Sequence, residues 1–316
     1  VSGPRVTVGI PTYDRADGLE RALASVLAQT HAELRVVIAD NASTDATAEV
    51  CARAAAADAR VRVVRRPENV GLTANFNGLL STAETEFVMV LADDDWLDPG
   101  YLERCLARLD ADPGLVLVSG RAEYHGAAGD ARGPGVDVDC AQAEPAERVA
   151  WWFGHVRDNA SIYGVTRSAA LRACLPMPNT LAGDWLLLGR LLMHGRLATE
   201  PAVAVHRTIG GTSADYERTV RSMGLTRREA ALPHLAIASL IRRDVGPAGH
   251  PAYAPLGDAA RRRLARRSAA AMLRARPLDL AADLARPLRA LPGAAAAEER
   301  AREAVRRRRG ERPYVP

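Results

Sequence analysis

The chain has 316 residues, 48% of them hydrophobic and 25% charged, which is enough for a large buried core and too apolar for a disordered or fibrous protein. The net charge of +4 hides an asymmetry. All 42 basic residues are arginine, and residues 257–316 hold 16 of them against 7 Asp and Glu, so the first 256 residues are net negative.

No run reaches the roughly 18–20 apolar residues of a membrane span, and Val1–Pro11 lacks the apolar stretch of a signal peptide. A soluble, cytoplasmic protein is therefore expected. Cys51, Cys105, Cys140 and Cys174 are far apart with no Cys-x-x-Cys pair, so reduced structural thiols are expected and neither a zinc site nor a disulfide framework.

The first hundred residues alternate short apolar runs with amphipathic stretches, the pattern of a mostly parallel sheet flanked by helices. Val6–Ile10 reads as the first strand. Leu19, Leu23, Val26 and Leu27 follow at helical spacing behind an Asp17/Glu20 pair that reads as a capping box. Leu34–Ala39 is the second strand, residues 45–57 a helix and Val61–Val64 the third strand. Leu72, Phe76, Leu79 and Leu80 mark a further helix, and Phe87–Ala92, apolar throughout, reads as a strand buried on both faces. Asp98-Pro99 reads as the cap and first turn of the next helix, and Leu115–Ser119 as a fifth strand. Residues 121–143, rich in Gly, Ala and Asp, read as a loop. Helical segments at 145–155, 167–174 and 184–194 follow, with short strands at Ile162–Thr166 and Ala202–Val205. From 225 onward Ala, Arg and Leu dominate and prolines divide short helices, giving an appended C-terminal α-helical region. The chain thus divides into units at 1–120, 121–224 and 225–316.

Ligands of an open parallel sheet gather beyond the carboxyl ends of its strands. Polar residues stand there each time: Pro11-Thr12-Tyr13-Asp14, Asp40-Asn41, Asn69-Val70-Gly71 and Asp93-Asp94-Asp95-Trp96. Three successive carboxylates repel one another unless a divalent cation lies among them. Mg²⁺ or Mn²⁺ suits an all-oxygen set, whereas zinc calls for His or Cys; the plainer alternative is a solvated loop ahead of Pro99. Neither a Gly-x-x-x-x-Gly-Lys-[Ser/Thr] nor a Gly-x-Gly-x-x-Gly segment is present, which argues against P-loop and dinucleotide enzymes. A nucleoside diphosphate held through a metal fits better. Tyr13 then offers its ring to a base or packs in the core, and Asp40 accepts hydrogen bonds from base or ribose.

These residues resemble the inverting glycosyltransferases of family 2, which have the GT-A fold and many bacterial members. The likeness lies in Val-Gly-Ile-Pro-Thr-Tyr-Asp-Arg at 8–15, Ser-Val-Leu-Ala-Gln-Thr at 25–30 and Val-Val-Ile-Ala-Asp-Asn-Ala-Ser-Thr-Asp at 36–45. It continues in Asn69-Val70-Gly71, Asn77 and Leu-Ala-Asp-Asp-Asp-Trp-Leu-Asp-Pro at 91–99, covering residues 5–120 most fully and reaching about 215. The resemblance implies that Pro11, Thr12, Tyr13 and Asp40 hold the nucleoside, with Asn69 among the donor contacts. It puts Asp93 near the ribose, Asp94 on the metal and Asp95 beside it as the third carboxylate. Ala92 stands where the family often has aspartate, which leaves the division of work among the three open.

A catalytic base at the start of a helix after the fifth or sixth strand is also implied, and Asp184 in Gly183-Asp184-Trp185 fits it. A carboxylate there stays ionised and can take the proton of an acceptor hydroxyl; a plain helix cap is the alternative. His206 reads as a metal ligand, a diphosphate contact or a structural histidine, Arg207 as a diphosphate contact, and Gly210-Gly211-Thr212-Ser213 as a loop over the phosphates. Trp151, Trp152 and Trp185 either floor an acceptor sugar or pack.

The expected activity is a metal-dependent transfer, with inversion, from a nucleotide-diphosphate sugar to an acceptor hydroxyl of a glycan, glycolipid or secondary metabolite. A uridine diphosphate sugar is the default donor. The rivals are a sugar-1-phosphate nucleotidyltransferase, whose glycine-rich stretch after strand one Pro11–Arg15 does not match, and a non-catalytic nucleotide-sugar-binding scaffold. The arginine-rich end, including Arg306–Arg309, reads as a peripheral contact with an anionic membrane or as solvated helix faces with a subunit contact in a homo-oligomer. Nucleic acid is not an expected partner.

Overall fold

The computed structural model describes residues 3–81, 83–158, 160–209 and 226–285. Three successive βα units open it: β1 (Val6–Thr12), α1 (Ala16–Leu27), β2 (Leu34–Asp40), α2 (Thr47–Ala57), β3 (Val61–Arg65) and α3 (Leu72–Ser81). β4 (Phe87–Val90), β5 (Trp96–Leu97), α4 (Tyr101–Ala111), β6 (Leu115–His125), β7 (Ala131–Pro134) and α5 (Pro145–His155) follow. A 3₁₀ turn at Ala160–Tyr163 leads to β8 (Val165–Arg167), α6 (Ser168–Cys174), α7 (Gly183–Leu191) and β9 (Arg196–Thr208). The helices α8 (Arg227–Ala231), α9 (Pro233–Val245), α10 (Gly257–Ala275) and α11 (Pro277–Ala285) complete the described chain, with a 3₁₀ turn at Pro251–Leu256.

One sheet runs in the order β3-β2-β1-β4-β8-β6-β9-β5, with β7 paired to β6. β3, β2, β1 and β4 are parallel to one another; β8 is antiparallel to β4 and β6, β9 parallel to β6, and β5 antiparallel to β9. The mostly parallel sheet expected from the sequence is present. Every residue of β1 and β4 is buried, because successive side chains face opposite sides and both sides are covered. Phe87 and Met89 join α1 and α4 in one core, while Val88 and Val90 join α3, α5 and α7 in the other.

At Gly9 helix α3 comes so close to β1 that an added Cβ would lie 1.9 Å from Leu79 Cδ2. Gly9→Ala is expected to destabilise the fold by about 1–3 kcal/mol through overpacking, read as a lower urea midpoint. An unchanged midpoint would mean that Leu79 turns away at no cost.

The C-terminal helices share a core with α5 and α7. Ile237, Leu240 and Ile241 of α9 and Leu264, Ala269 and Met272 of α10 pack with Trp152, Phe153, Leu187 and Leu191. No helix among the described residues is long and apolar enough to cross a membrane. All four cysteines are free and buried.

Several sequence boundaries move. The loop expected at 121–143 contains the second half of β6 and all of β7, and the strand expected at Ala202–Val205 is part of the thirteen-residue β9. β4 stops at Val90, and α1 begins at Ala16 with Arg15 at its N-cap and no side-chain capping bond. Asp98 does not cap α4, which starts at Tyr101 behind Gly100. Its carboxylate accepts instead from the Ala204 N–H at 2.8 Å and meets His206 Nε2 at 2.9 Å. The loop at 210–213 and Arg306–Arg309 lie outside the described residues.

Candidate functional site

Because β1, β2 and β4 are parallel, their carboxyl ends fall on one edge, where Thr12 stands opposite Asp40. Pro11 is tolerated in β1 because β4 pairs only as far as Gly9, so the strand has already lost one neighbour there. Asp40 is 1% exposed; its Oδ1 accepts from the Ser43 N–H at 2.9 Å and its Oδ2 lies 3.1 Å from Arg65 Nη1. Thr12 is buried beside it, while Tyr13 is exposed rather than packed in the core.

The loops after β1 and β2 are stitched together. Asp14 Oδ1 accepts from the Thr44 N–H at 2.6 Å, and the Asp14 N–H donates to Ser43 Oγ at 3.0 Å. Asn69 Oδ1 accepts from Asn41 Nδ2 at 2.8 Å and from the Gly71 N–H at 2.9 Å, and Asn41 Oδ1 accepts from the Val70 N–H at 3.0 Å. Among the described residues three non-glycine residues have left-handed backbone: Asp14 (φ 51°), Ala42 (φ 64°) and Ala182 (φ 53°). Each lies within two positions of a sequence-predicted site residue, Tyr13, Asp40 and Asp184 in turn. Such strain persists where the surrounding contacts over-determine the chain, and it gathers at functional sites.

Beyond β4 the three carboxylates diverge. Asp95 is 2% exposed; Oδ1 accepts from the Thr208 N–H at 2.9 Å and Oδ2 lies 3.4 Å from Arg207 Nε. Asp94 is partly exposed, its side chain 18% exposed, with Arg15 Nη1 2.7 Å from Oδ2. Burial pushes Asp93 up to about 6; the Asp94 charge adds to this, and Thr12, Arg15 and the Tyr13 backbone oppose it. Burial also pushes Asp95 up to about 6, opposed by Arg207. Helix α1 packs against this turn at Gly18, where a Cβ would lie 2.6 Å from the Asp93 carbonyl oxygen. Gly18→Ala is therefore expected to cost about 1–3 kcal/mol in chemical unfolding, and wild-type stability would show that the two segments separate freely.

Among the described residues no three or more His, Cys, Asp or Glu side chains converge as a metal site. The donor set nevertheless fits Mg²⁺ or Mn²⁺, which commonly take one or two carboxylates and complete their shell with phosphate oxygens and water. Asp94 is partly exposed. His206, expected beside the metal, has both ring nitrogens engaged: Nε2 with Asp98 and Nδ1 with His125 Nε2 at 3.0 Å. Its ring stacks on Trp96 with centroids 5.0 Å apart. A metal bond from His206 would require one of these contacts to break. Arg207, expected at a diphosphate, turns inward to Asp95, Tyr124 and Tyr163.

Asp184 lies in the first turn of α7 behind the N-cap Ala182, so it is not the cap. Its Oδ1 accepts from its neighbour Trp185 N–H at 3.0 Å. Gly183 is required there, since a Cβ would lie 2.2 Å from the Pro178 carbonyl oxygen. Burial pushes the Tyr163 hydroxyl up; Arg207 opposes this, and the Asp95, Asp94 and Asp184 charges add to it. Trp152 is fully buried and donates to the Trp185 carbonyl at 3.0 Å, Trp151 stacks on His155, and Trp185 lies under the Arg276 guanidinium.

Sequence reasoning missed Arg15 as the partner of Asp94, although it stands in the motif at 8–15. It also missed Tyr124 and Tyr163, which no local pattern marks, and it read Asp98 only as a helix cap.

Residues 7–153 match the family model of Glycosyl transferase family 2. The chain is 35% identical over 115 residues to the chondroitin synthase of Pasteurella multocida, a match covering 36% of this chain and 12% of that protein. The chain thus spans a small part of the length of the curated relatives first matched. Its fold is similar to mannosyltransferase PcManGT from Pyrobaculum calidifontis in complex with GDP-Man and Mn²⁺ (TM-score 0.53, 23% identity, covering 94% of this chain and 84% of that one). It is likewise similar to S. aureus TarS 1–349 in complex with UDP-GlcNAc (TM-score 0.53, 20% identity, covering 73% and 66%). The fold is thus the GT-A type that the sequence led us to expect.

Proposed function

We propose that this chain, whose residues 7–153 belong to glycosyl transferase family 2, moves a sugar from a nucleoside diphosphate donor to an acceptor hydroxyl with inversion at the anomeric carbon. The observation that carries the reading is the meeting of Thr12, Asp40 and the Asp93–Asp95 turn on one sheet edge. The nucleotide sugars and Mn²⁺ named for the two similar structures support it.

In this reading the nucleoside lies across Pro11, Thr12 and Tyr13, with Asp40 accepting hydrogen bonds from the base or ribose and Asn69 holding the adjoining loop. Asp93 faces the ribose. Asp94 would hold Mg²⁺ or Mn²⁺ with Asp95 behind it, and the bound cation supplies positive charge against the leaving diphosphate. Arg15, on Asp94 Oδ2 in the structure, supplies positive charge at the same carboxylate. Asp184 takes the proton of the acceptor hydroxyl as that oxygen attacks the anomeric carbon from the face opposite the diphosphate. The acceptor pocket then belongs to residues 121–224. The acceptor is a glycan, glycolipid or small-molecule hydroxyl, and contact of the arginine-rich end with an anionic membrane is a separate proposal.

The test is release of nucleoside diphosphate from uridine, guanosine and deoxythymidine diphosphate sugars, with and without Mn²⁺, in the presence of a panel of hydroxyl acceptors. Metal-stimulated release from one donor class is expected. Binding of a donor without release or transfer under any condition would favour a non-catalytic nucleotide-sugar binder.

A further inference from the structure

We infer that Arg207 is a positioning residue that clamps Asp95 and thereby sets the Asp93–Asp95 turn, rather than a contact to the donor diphosphate; the inference rests on the donor-site reading above. The Arg207 side chain is 15% exposed. Its Nε lies 3.4 Å from Asp95 Oδ2, its Nη1 3.3 Å from the Tyr124 hydroxyl and its Nη2 3.5 Å from the Tyr163 hydroxyl. The guanidinium carbon stands 4.8 Å from the centre of the Tyr163 ring and 5.5 Å from that of Tyr124. The planar fork spreads five N–H donors over three nitrogens, a wider and more rigid span than the three donors on the single nitrogen of a lysine. Here the partners come from the turn after β4, from β6 and from the 3₁₀ turn at Ala160–Tyr163.

The next residue of β9 completes the clamp, since the Thr208 N–H donates to the other Asp95 oxygen at 2.9 Å. Both oxygens of this buried carboxylate are therefore held by consecutive residues of one strand. Asp95 is fixed inward, while its partly exposed neighbour Asp94 pairs with Arg15. Thr208 Oγ1 also donates to the Asp94 carbonyl at 2.7 Å, and Arg21 Nη2 reaches both that carbonyl and Thr208 Oγ1. The backbone of the turn is thus fastened to β9 as well. Burial works against the Arg207 charge, but the facing Tyr163, Asp95, Tyr124 and Asp158 outweigh it and raise its pKa. The cation is spent inside the protein, on the carboxylate behind the one that would hold the metal.

The experiment is calorimetric binding of the nucleoside diphosphate, with and without Mn²⁺, to wild type, Arg207→Met, Arg207→Lys and Tyr163→Phe. Wild-type binding reports on the donor-site reading, and the ratio of variant to wild type reports on Arg207. In Arg207→Met the metal-free affinity is expected to stay within about twofold of wild type while the gain from Mn²⁺ falls about tenfold or more, as when the support of a metal ligand is removed. Arg207→Lys keeps the charge without the fork and is expected to fall between. Tyr163→Phe leaves the ring in the core and is expected to lose a smaller part of the Mn²⁺ gain, which keeps the test available if Arg207→Met does not fold. An equal loss with and without Mn²⁺ would make Arg207 a direct diphosphate contact and overturn the inference. An undiminished Mn²⁺ gain in all three variants would overturn it too.

Discussion

Asp184→Asn is expected to lower the transfer rate by about 10²–10⁴-fold, the range for loss of a positioned general base, while donor affinity stays at the wild-type level. The substitution is nearly isosteric. Its amide oxygen can still accept from the Trp185 N–H that Asp184 Oδ1 now accepts from at 3.0 Å, so the first turn of α7 keeps its geometry. What is lost is the site for the acceptor proton. Initial rates with saturating donor, beside a binding isotherm for the nucleoside diphosphate, separate the two effects. Unchanged turnover would remove Asp184 from the base role, and a parallel loss of donor affinity would make it a donor contact.

The largest effect on stability is expected at Asp244→Ala, about 3–5 kcal/mol. Arg190 of α7 and Asp244 of α9 form a buried pair with side chains 5% and 9% exposed and a 2.6 Å contact. Arg190 also donates to the carbonyls of Cys174 and Pro176 at 2.9 and 2.7 Å. Removing Asp244 leaves a guanidinium in the core without its counter-charge, which costs far more than the pair contributes. A double replacement, Arg190→Met with Asp244→Leu, is expected to recover much of the loss, because apolar groups of similar volume substitute for a buried pair at little net cost. Urea unfolding of the two variants checks this. A loss below about 1 kcal/mol in Asp244→Ala would mean that the pair is effectively solvated and that α9 is not locked to α7.

The N-terminal half was legible because its signals are local. β4 is apolar throughout and β1 and β2 mostly so, the helices between them have a clear period, and the polar site residues fall at or just after the strand ends. The parallel pairing then brings Thr12, Asp40 and the Asp93 turn together without further information.

The second half was not legible in the same way. β6 and β9 pair through two register shifts, near Leu115/Leu117 and Gly120/Arg121, so their hydrophobic alternation is broken where a strand reading needs it. β5 has two residues, too few to show a period. Asp98 read as a cap from its neighbour Pro99, but its carboxylate is taken by Ala204 and His206, more than a hundred residues away. Arg207 read as a diphosphate contact, whereas the structure surrounds it with Asp95, Tyr124 and Tyr163. The C-terminal helices read as appended because arginine dominates them, whereas their buried faces use small and aliphatic residues such as Ala265, Ala269 and Met272 against Trp152 and Phe153.

The most direct test of the donor-site reading is a thermal-shift panel of uridine, guanosine, deoxythymidine and cytidine diphosphates, each with and without Mn²⁺, since a ligand that binds the folded state raises its apparent stability. A shift for one nucleotide that grows with Mn²⁺ is the predicted result and names the donor class. A folded sample that shifts with none of the four, with or without Mn²⁺, would contradict it.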